Sequence, residues 1–385
     1  MANSIKIGGF GQERFPALRA AFEDNFIDRG EVGASIAITE QNRLVASFWG
    51  GHKHPAQPSQ EAQLWESDTL VNVWSTTKGV TAICAAMLVE RGLISYTTPL
   101  AEVWPAFAKG EKKNITLGML LSHQAGLCGF RQPVTAEHLY NLQSAANELA
   151  EMEPFWVPGS GHGYHALTIG LLVSELFRRV DGRPLKTFVE QELVDAFGLD
   201  IHIGLPTQLT EQASDVIAPS EMNTSAYATE LTDAQKAGLM NPLMSPEIAN
   251  TAAWRAADNA SANGFASAEA LALLYGALAT DGTLKTKPLL SQRTLEQAIT
   301  PQTRKEMDKV LGMESQWACG FLCNTLGLYG PNPDAFGHSG WGGSFAFADR
   351  SKAISCAYTM NRMGTDLVGE PRAVALVSAL YQDLK

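Results

Sequence analysis

Short runs of β-type sequence lie near both ends of this 385-residue chain, and the long stretch between them is mostly helical in pattern. Near the amino end, Ala34–Thr39 and Arg43–Gly50 have strand patterns joined by a polar turn, which predicts a hairpin. After residue 315, four strand-like runs are bounded by turn residues: SQWACGFLC, the segment around FGHSG, GSFAFAD and AISCAYTM. Strands supplied by both ends of a chain imply one antiparallel sheet built from the two termini.

Helical patterns flank these strands. Residues 13–29 and Glu370–Leu384 have apolar residues at helical spacing. We therefore predict an α+β fold in which an antiparallel β-sheet is flanked by helices and a large, mostly helical domain is inserted. Residues 1–74 and 305–385 would form the sheet domain and residues 75–304 the helical domain, with the active site at their interface. The length favours two parts, because 385 residues is long for one compact core.

The charge balance excludes one class of partner. The net charge is −11 and the isoelectric point is near 5.3, whereas a nucleic-acid binder needs a concentrated basic surface. No apolar run is long enough for the core of a signal peptide or for a membrane span. We expect a cytoplasmic protein that binds a small molecule, with no nucleic-acid or membrane partner. The oligomeric state stays open, a homo-oligomer included.

The cysteines indicate reduced thiols. They are odd in number and lie in apolar surroundings, and disulfides are rare in reducing compartments. A metal pair at Cys319 and Cys323 has no second Cys/His pair beside it. We expect buried free thiols at all five positions: Cys84, Cys128, Cys319, Cys323 and Cys356.

The sharpest chemical feature is Ser75-Thr76-Thr77-Lys78, at the start of an apolar helix predicted to run to about residue 93. Residues three apart on a helix share a face, so Ser75 and Lys78 can reach hydrogen-bond distance. A serine hydroxyl is a weak nucleophile until a base removes its proton, and a lysine is such a base only when its pKa is lowered. Alone, the pair also fits a capped helix with a surface lysine. The apolar sequence after Lys78, charged only at Glu90 and Arg91, favours burial.

Tyr164 is the second candidate. It follows a Pro/Gly-rich loop and precedes the apolar helical run Ala166–Phe177, so it can project into a cleft. A nearby cation would lower its pKa and let it relay protons to a leaving group. Taken alone, a tyrosine in this position is more often a packing residue.

The third candidate is the glycine-rich segment Phe336–Ser344, which leads into the strand FAFAD. Glycines at a strand edge let a substrate approach the backbone closely, and the main-chain N–H groups there can stabilise an oxyanion. A glycine-rich hairpin or bulge without a catalytic role explains the segment equally well when it is taken alone.

In this order and at this spacing, the three elements resemble the serine β-lactamases of class C, the DD-peptidases and, most closely, the family VIII carboxylesterases. The resemblance spans nearly the whole chain and implies a β-lactamase/transpeptidase-like fold. It is carried by Ser75 and Lys78 as Ser-x-x-Lys, by Pro158-Gly159 followed by Tyr164, by His338-Ser339-Gly340 in place of Lys-Thr-Gly, and by the supporting segments Leu120–Leu127 and Ala262–Gly264.

The resemblance also implies roles for these residues. Ser75 would be acylated, Lys78 would be the base for its hydroxyl, and Tyr164 would shuttle the proton. The N–H groups of Ser75 and Trp341 would form the oxyanion hole. Neither a cofactor nor a metal is implied. The candidate substrate-binding residues are His338, Ser339, Gly340, Trp341 and, beside the tyrosine, His165.

Two departures from the pattern bear on the substrate. Class C β-lactamases carry an amide-binding asparagine two residues after the tyrosine, where this chain has Ala166. The permanently charged lysine of Lys-Thr-Gly is replaced by His338, which is mostly neutral at pH 7. Both changes favour a small neutral ester over a penicillin or a peptide, and the sequence therefore predicts a serine carboxylesterase.

Several alternatives stay open. An acyltransferase, a weak β-lactamase or amide hydrolase, and a non-catalytic binding relative would all use the same fold. An α/β-hydrolase is disfavoured because the chain has no Gly-x-Ser-x-Gly pentapeptide. A metal hydrolase lacks an HExxH motif, and three of the histidines His52, His54, His162 and His165 are expected to be solvent-exposed loop residues.

Overall fold

A computed structural model describes residues 5–54, 63–219 and 230–385. Its central element is a seven-stranded sheet in the order β1-β3-β2-β14-β13-β12-β11, with every neighbouring pair antiparallel. The strands of this sheet are β1 (Ile7–Phe10), β2 (Gly33–Glu40), β3 (Arg43–Gly51), β11 (Leu322–Cys323), β12 (Phe336–Ser339), β13 (Phe345–Asp349) and β14 (Ile354–Met360). The prediction of one antiparallel sheet built from both ends of the chain is confirmed.

The remaining strands form three small sheets, β4-β6-β5, β7-β8 and β9-β10. They are β4 (Val71–Asn72), β5 (Ile201–Ile203), β6 (Gly264–Ala266), β7 (Thr283–Leu284), β8 (Lys287–Pro288), β9 (Glu306–Met307) and β10 (Glu314–Ser315). The α-helices are α1 (Pro16–Asp28), α2 (Thr77–Glu90), α3 (Leu117–Leu121), α4 (Leu142–Glu151), α5 (Thr168–Val180), α6 (Leu185–Val189), α7 (Asp233–Met240), α8 (Ala252–Ala256), α9 (Ala268–Ala279), α10 (Gln292–Ile299) and α11 (Pro371–Asp383).

Both faces of the central sheet are covered by helices. On one face, Phe22 of α1 packs against Phe48 of β3, and α1 in turn packs against α11. On the other face, α9 lies so close to β2 that a side chain at Gly276 would meet Thr39. Because alternate residues of a strand point to opposite faces, a strand covered on both sides becomes apolar along its whole length. Every residue of β14 is accordingly buried.

One predicted strand differs from the structure, and one helix lies elsewhere than its place in the sequence suggests. Within SQWACGFLC only the two ends are strand, because the chain turns at Gly320, whose φ is +88°. Helix α9 falls within residues 75–304, the range predicted as the helical domain, yet it packs against β2 and β14 of the sheet. Its sequence is apolar nearly all round, so it is buried between the sheet and α2 rather than lying in a separate helical unit.

Helix α2 carries the reactive segment through the middle of the molecule. Every residue from Thr77 to Leu88 is buried, as the apolar sequence after Lys78 predicts. The glycine and alanines of this helix allow close packing, and a side chain at Gly79 would collide with the Tyr275 hydroxyl of α9. Among the residues that the structure describes, no helix is both long and apolar enough to cross a bilayer.

Candidate active site

Ser75 lies on a tight turn between β4 and α2. The turn, Trp74–Thr76, is a single 3-10 turn, and Trp74 adopts φ +48°, a left-handed conformation that is unusual for a bulky residue. Its indole is held by Trp254 and Trp341, whose ring centroids lie 5.6 and 5.0 Å away. Trp74 and Thr76 are buried, whereas Ser75 stays partly exposed. This constrained turn therefore presents the serine to the cleft.

Lys78 lies directly below Ser75 and makes three hydrogen bonds. Its Nζ is 2.9 Å from the Ser75 Oγ, 2.7 Å from the carbonyl oxygen of Ala166 and 2.9 Å from that of Ser261. A neutral amine has two hydrogens and one lone pair, and the two carbonyl oxygens can only accept. In the neutral form the two hydrogens would therefore point to Ala166 and Ser261, which would leave the lone pair facing the serine hydroxyl.

Burial sets the protonation state of Lys78. The side chain is 3% exposed, and burial lowers its pKa well below the ordinary value. A lowered pKa is the condition that a lysine base needs, and its cause here is the closed apolar surroundings of α2. The three contacts would also satisfy the hydrogens of the ammonium form, but among the described residues no carboxylate pairs with Lys78, so burial favours the amine.

Tyr164 stands beside this pair with its ring against the lysine. The Nζ of Lys78 lies 4.8 Å from the centre of the phenol ring, and the Tyr164 hydroxyl hydrogen-bonds to Ser75. The prediction of a lowered phenol pKa is wrong. Burial raises the pKa of Tyr164, and the hydrogen bond between Tyr164 and Ser75 offsets only part of that effect. Because burial also lowers the pKa of Lys78, the cation that could oppose this effect is disfavoured, and the protonated phenol is favoured.

The glycine-rich segment closes over the serine turn. Gly340 follows β12 and has no room for a side chain, because a Cβ there would meet Ser344 and the Val73 carbonyl. The Ser344 hydroxyl donates to the Val73 carbonyl at 2.8 Å and lies 3.1 Å from the Thr76 hydroxyl. These bonds join the loop between β12 and β13 to the turn that carries Ser75. Trp341 in this loop packs edge-on against Trp74.

His338 is buried and neutral. Burial lowers its pKa to about 3. Its Nδ1 lies 2.9 Å from the carbonyl oxygen of Ser339, so this nitrogen carries the proton, and Nε2 is an acceptor without a hydrogen-bond partner among the described residues. The Ser339 hydroxyl lies 3.2 Å from the Tyr329 hydroxyl. His338 and Ser339 thus form one wall of the cleft in front of Ser75.

His165 does not face the cleft. It is fully buried, its Nε2 accepts the N–H of Leu127 at 3.0 Å, and its Nδ1 bonds to the Gly163 carbonyl at 2.7 Å. Both ring nitrogens are therefore occupied, and a substrate cannot reach them. His162 is also fully buried, so the expectation that three of the four loop histidines contact solvent is wrong. The loop before α5 folds inward because His162 bonds to Ser315.

The cleft is small and apolar. It has a cavity volume of about 30 Å³, room for roughly two water molecules, with Ser75 and Tyr164 at its base. None of the described residues that line it carries a formal charge, since His338 is neutral and Lys78 lies behind the serine. The remaining walls are one tryptophan and four aliphatic residues: Trp317, Leu311, Leu322, Leu367 and Val368.

Two residues that build the site do not stand out in the sequence. Asp308 is buried, and its carboxylate accepts the N–H groups of Tyr164, Val310 and Leu311, each at 2.9 Å. Trp317 stacks on Tyr164 with the rings 16° apart. Both lie far from Tyr164 in the sequence, Asp308 by 144 residues, so only the three-dimensional fold places them beside the tyrosine. The one signal for Asp308 in the sequence is its acidic side chain in a segment without a helical pattern.

The remaining predictions for the site concern the cysteine thiols and possible metal ligands. All five cysteines are free and buried, as predicted, and burial raises the pKa of Cys323 to about 11. Throughout residues 5–54, 63–219 and 230–385, no three His, Cys, Asp or Glu side chains are grouped as a metal site.

Comparison with known proteins agrees with this geometry. The sequence profile of the Beta-lactamase family matches residues 18–379. "Esterase/beta-lactamase LipL" of Mycobacterium tuberculosis is 31% identical over 94% of this chain and 85% of its own. A penicillin-binding protein homologue from Caulobacter crescentus has a TM-score of 0.91 and 39% identity, covering 98% of this chain and 100% of its own. A family VIII carboxylesterase has the same TM-score and the same coverages, with 38% identity.

Proposed function

The chain belongs to the Beta-lactamase family, and we propose that it is a serine carboxylesterase that hydrolyses small neutral esters through an acyl-enzyme on Ser75. The observation that carries the proposal is the contact of the Lys78 Nζ with the Ser75 Oγ at 2.9 Å, at the base of a cleft lined without formal charge. The carboxylesterase and esterase relatives support an ester as the substrate class.

Each group then has one role in acylation. The Lys78 amine takes the Ser75 proton as the Oγ attacks the ester carbonyl carbon. The negative charge that develops on the carbonyl oxygen is stabilised by the N–H groups of Ser75 and Trp341. The carbonyl–alkoxy bond breaks, and the leaving alkoxide takes the phenol proton of Tyr164, which Lys78 replaces. In the second half, water attacks the acyl group and its proton returns through the same groups, which frees Ser75.

The cleft also limits what is bound. A penicillin or cephalosporin carries a carboxylate, and that charge would be placed against apolar walls without a cationic partner. Ala166 supplies a carbonyl to Lys78 rather than an amide side chain to a substrate. An alcohol that reaches the acyl-enzyme along these aliphatic walls would accept the acyl group in place of water, and product analysis with added alcohol separates the two outcomes.

We expect nitrophenyl acetate to be hydrolysed faster than longer esters or β-lactams. Because the cavity is small, kcat/KM should fall about tenfold or more from acetate to hexanoate. A chromogenic cephalosporin should have a kcat/KM at least about 100-fold below that of the acetate. The measurement is a panel of nitrophenyl esters beside the cephalosporin, with Ser75→Ala as the background control. A cephalosporin constant equal to that of the acetate would contradict the proposal.

Leu367 provides a test of which wall limits the acyl chain. Leu367→Ala removes an aliphatic side chain from the mouth of the cleft, so the kcat/KM ratio of hexanoate to acetate should rise about tenfold. Leu326→Ala is the matched control, because Leu326 and Leu367 are both 39% exposed and Leu326 does not line the cleft. Equal ratios in the two variants would show that Leu367 does not limit the acyl chain.

A further inference from the structure

We propose that His123 is a positioning residue that holds Tyr164 in the place from which it hydrogen-bonds Ser75, an inference that rests on the proposed function. His123 lies in the segment Leu120–Leu127 and lines neither the cleft nor the Ser75–Lys78 contact. It is fully buried and close enough to act on Tyr164 through the backbone on both sides of the tyrosine.

His123 makes hydrogen bonds with the residues on either side of Tyr164. The Gly163 N–H donates to the His123 carbonyl at 3.0 Å, and the His165 N–H donates to the His123 Nδ1 at 3.2 Å. The N–H of Tyr164 itself donates to Asp308 at 2.9 Å. The three consecutive N–H groups of residues 163–165 are therefore held by two residues, and His123 holds the outer two. This arrangement fixes the direction in which the Tyr164 side chain leaves the backbone.

The imidazole of His123 also contacts the phenol ring. Its centroid is 4.9 Å from that of Tyr164 in an edge-on arrangement and 4.4 Å from that of Trp317. Because Nδ1 accepts a hydrogen bond, the proton of the neutral ring is on Nε2. Among the described residues Nε2 has no hydrogen-bond partner, so its N–H lies against the neighbouring aromatic rings. Burial lowers the pKa of His123 well below the ordinary value, which keeps Nδ1 free to accept.

The backbone of His123 identifies the conservative substitution. Its φ is +63°, a left-handed conformation in which asparagine and histidine are enriched. The Oδ1 of asparagine is separated from the Cα by the same number of bonds as the Nδ1 of histidine, so His123→Asn keeps both the conformation and the acceptor. Glutamine places its oxygen one bond farther out and loses that acceptor. Alanine loses it altogether.

The test is a double-mutant cycle with Tyr164→Phe, measured on nitrophenyl acetate. If Tyr164 is displaced in His123→Ala, kcat should fall about 10–100-fold while KM changes less than about threefold. His123→Asn should recover most of the lost kcat, and His123→Gln should not. In the Tyr164→Phe background, His123→Ala should lower kcat by less than about twofold further, because the group it positions is already absent.

Three outcomes would overturn the inference: His123→Ala with wild-type kcat, equal effects of His123→Ala in both backgrounds, or equal effects of His123→Asn and His123→Gln. Near-UV circular dichroism and the melting temperature of each variant report whether the fold is kept. If His123→Ala does not fold, the asparagine and glutamine variants in the two backgrounds complete the cycle. Wild-type activity in Tyr164→Phe alone would instead refute the proposed role of the tyrosine, so the two failures are distinguishable.

Discussion

Ser75→Ala should abolish ester hydrolysis while leaving the fold intact. The serine hydroxyl is the group that the Lys78 Nζ approaches, at 2.9 Å, and its replacement removes the atom that would carry the acyl group. Loss of a nucleophile that works as a unit with its base costs about 10⁶-fold in kcat. The measurement is kcat on nitrophenyl acetate, with the melting temperature as the check on folding. Residual activity within tenfold of the wild type would contradict the acyl-enzyme on Ser75.

A labelling experiment separates Ser75 from the other serine in the cleft wall. A serine-directed phosphonate should modify Ser75, because within the described part of the chain its hydroxyl alone hydrogen-bonds to a lysine, and burial lowers the pKa of that lysine. Ser339 is the matched comparison, since its hydroxyl lies in the same cleft but beside Tyr329. Ser339→Ala should still be labelled and should keep most of its activity. Mass-spectrometric labelling of Ser339 with Ser75 unmodified would overturn the assignment.

The parts of this protein that follow from the sequence are those set by local pattern. The hairpin of β2 and β3, the helix after Ser75 and the last helix are predicted because each repeats apolar residues at the period of its own structure. Strand β1 was not predicted, because IGGF is short and two of its residues are glycine. Helix α9 has a clear helical pattern, but its sequence does not say whether it packs on the sheet or on other helices.

The candidate active site likewise has contacts that follow from local sequence and contacts that only the complete fold produces. Ser75 lies on the 3-10 turn that leads directly into α2, and Lys78 follows three residues later in the first turn of that helix, so their contact follows from helical spacing. The sequence does not predict the raised pKa of Tyr164. That shift depends on complete burial of the side chain, and the loop before the tyrosine gives no sign of such burial. Asp308 bonds to Tyr164 across 144 residues of chain and His123 bonds to the neighbouring His165 across 42, and such contacts form only when the fold is complete.

The pH dependence of the rate should report Lys78 and Tyr164 rather than His338. Below the native pKa of Lys78 the ammonium cannot accept the serine proton, so kcat/KM should rise with pH as the amine forms. Because that pKa is lowered, the rise should come well below pH 10, near which a free lysine titrates. The raised pKa of Tyr164 keeps its phenol protonated, so the plateau should extend to at least about pH 9. His338, with a pKa of about 3, does not titrate in this range.

Three variants decide between this mechanism and a serine–histidine pair. Lys78→Ala removes the base and Tyr164→Phe removes the proton donor, so each should lower kcat/KM about 10²–10⁴-fold, with the lysine variant losing at least as much. His338→Ala should lower kcat/KM less than about tenfold, act mainly on KM and leave the pH profile unchanged. The reason is that the imidazole lines the cleft wall and its hydrogen-bonded nitrogen faces Ser339.

The titrations of Lys78 and Tyr164 are coupled, so the pH profile of the rate belongs to the pair. Tyr164→Phe should therefore shift this pH profile as well as lower the rate. An inactive His338→Ala together with a Lys78→Ala that keeps most of its rate would make His338 the base, and the free Nε2 of His338 is the atom that would then accept the serine proton.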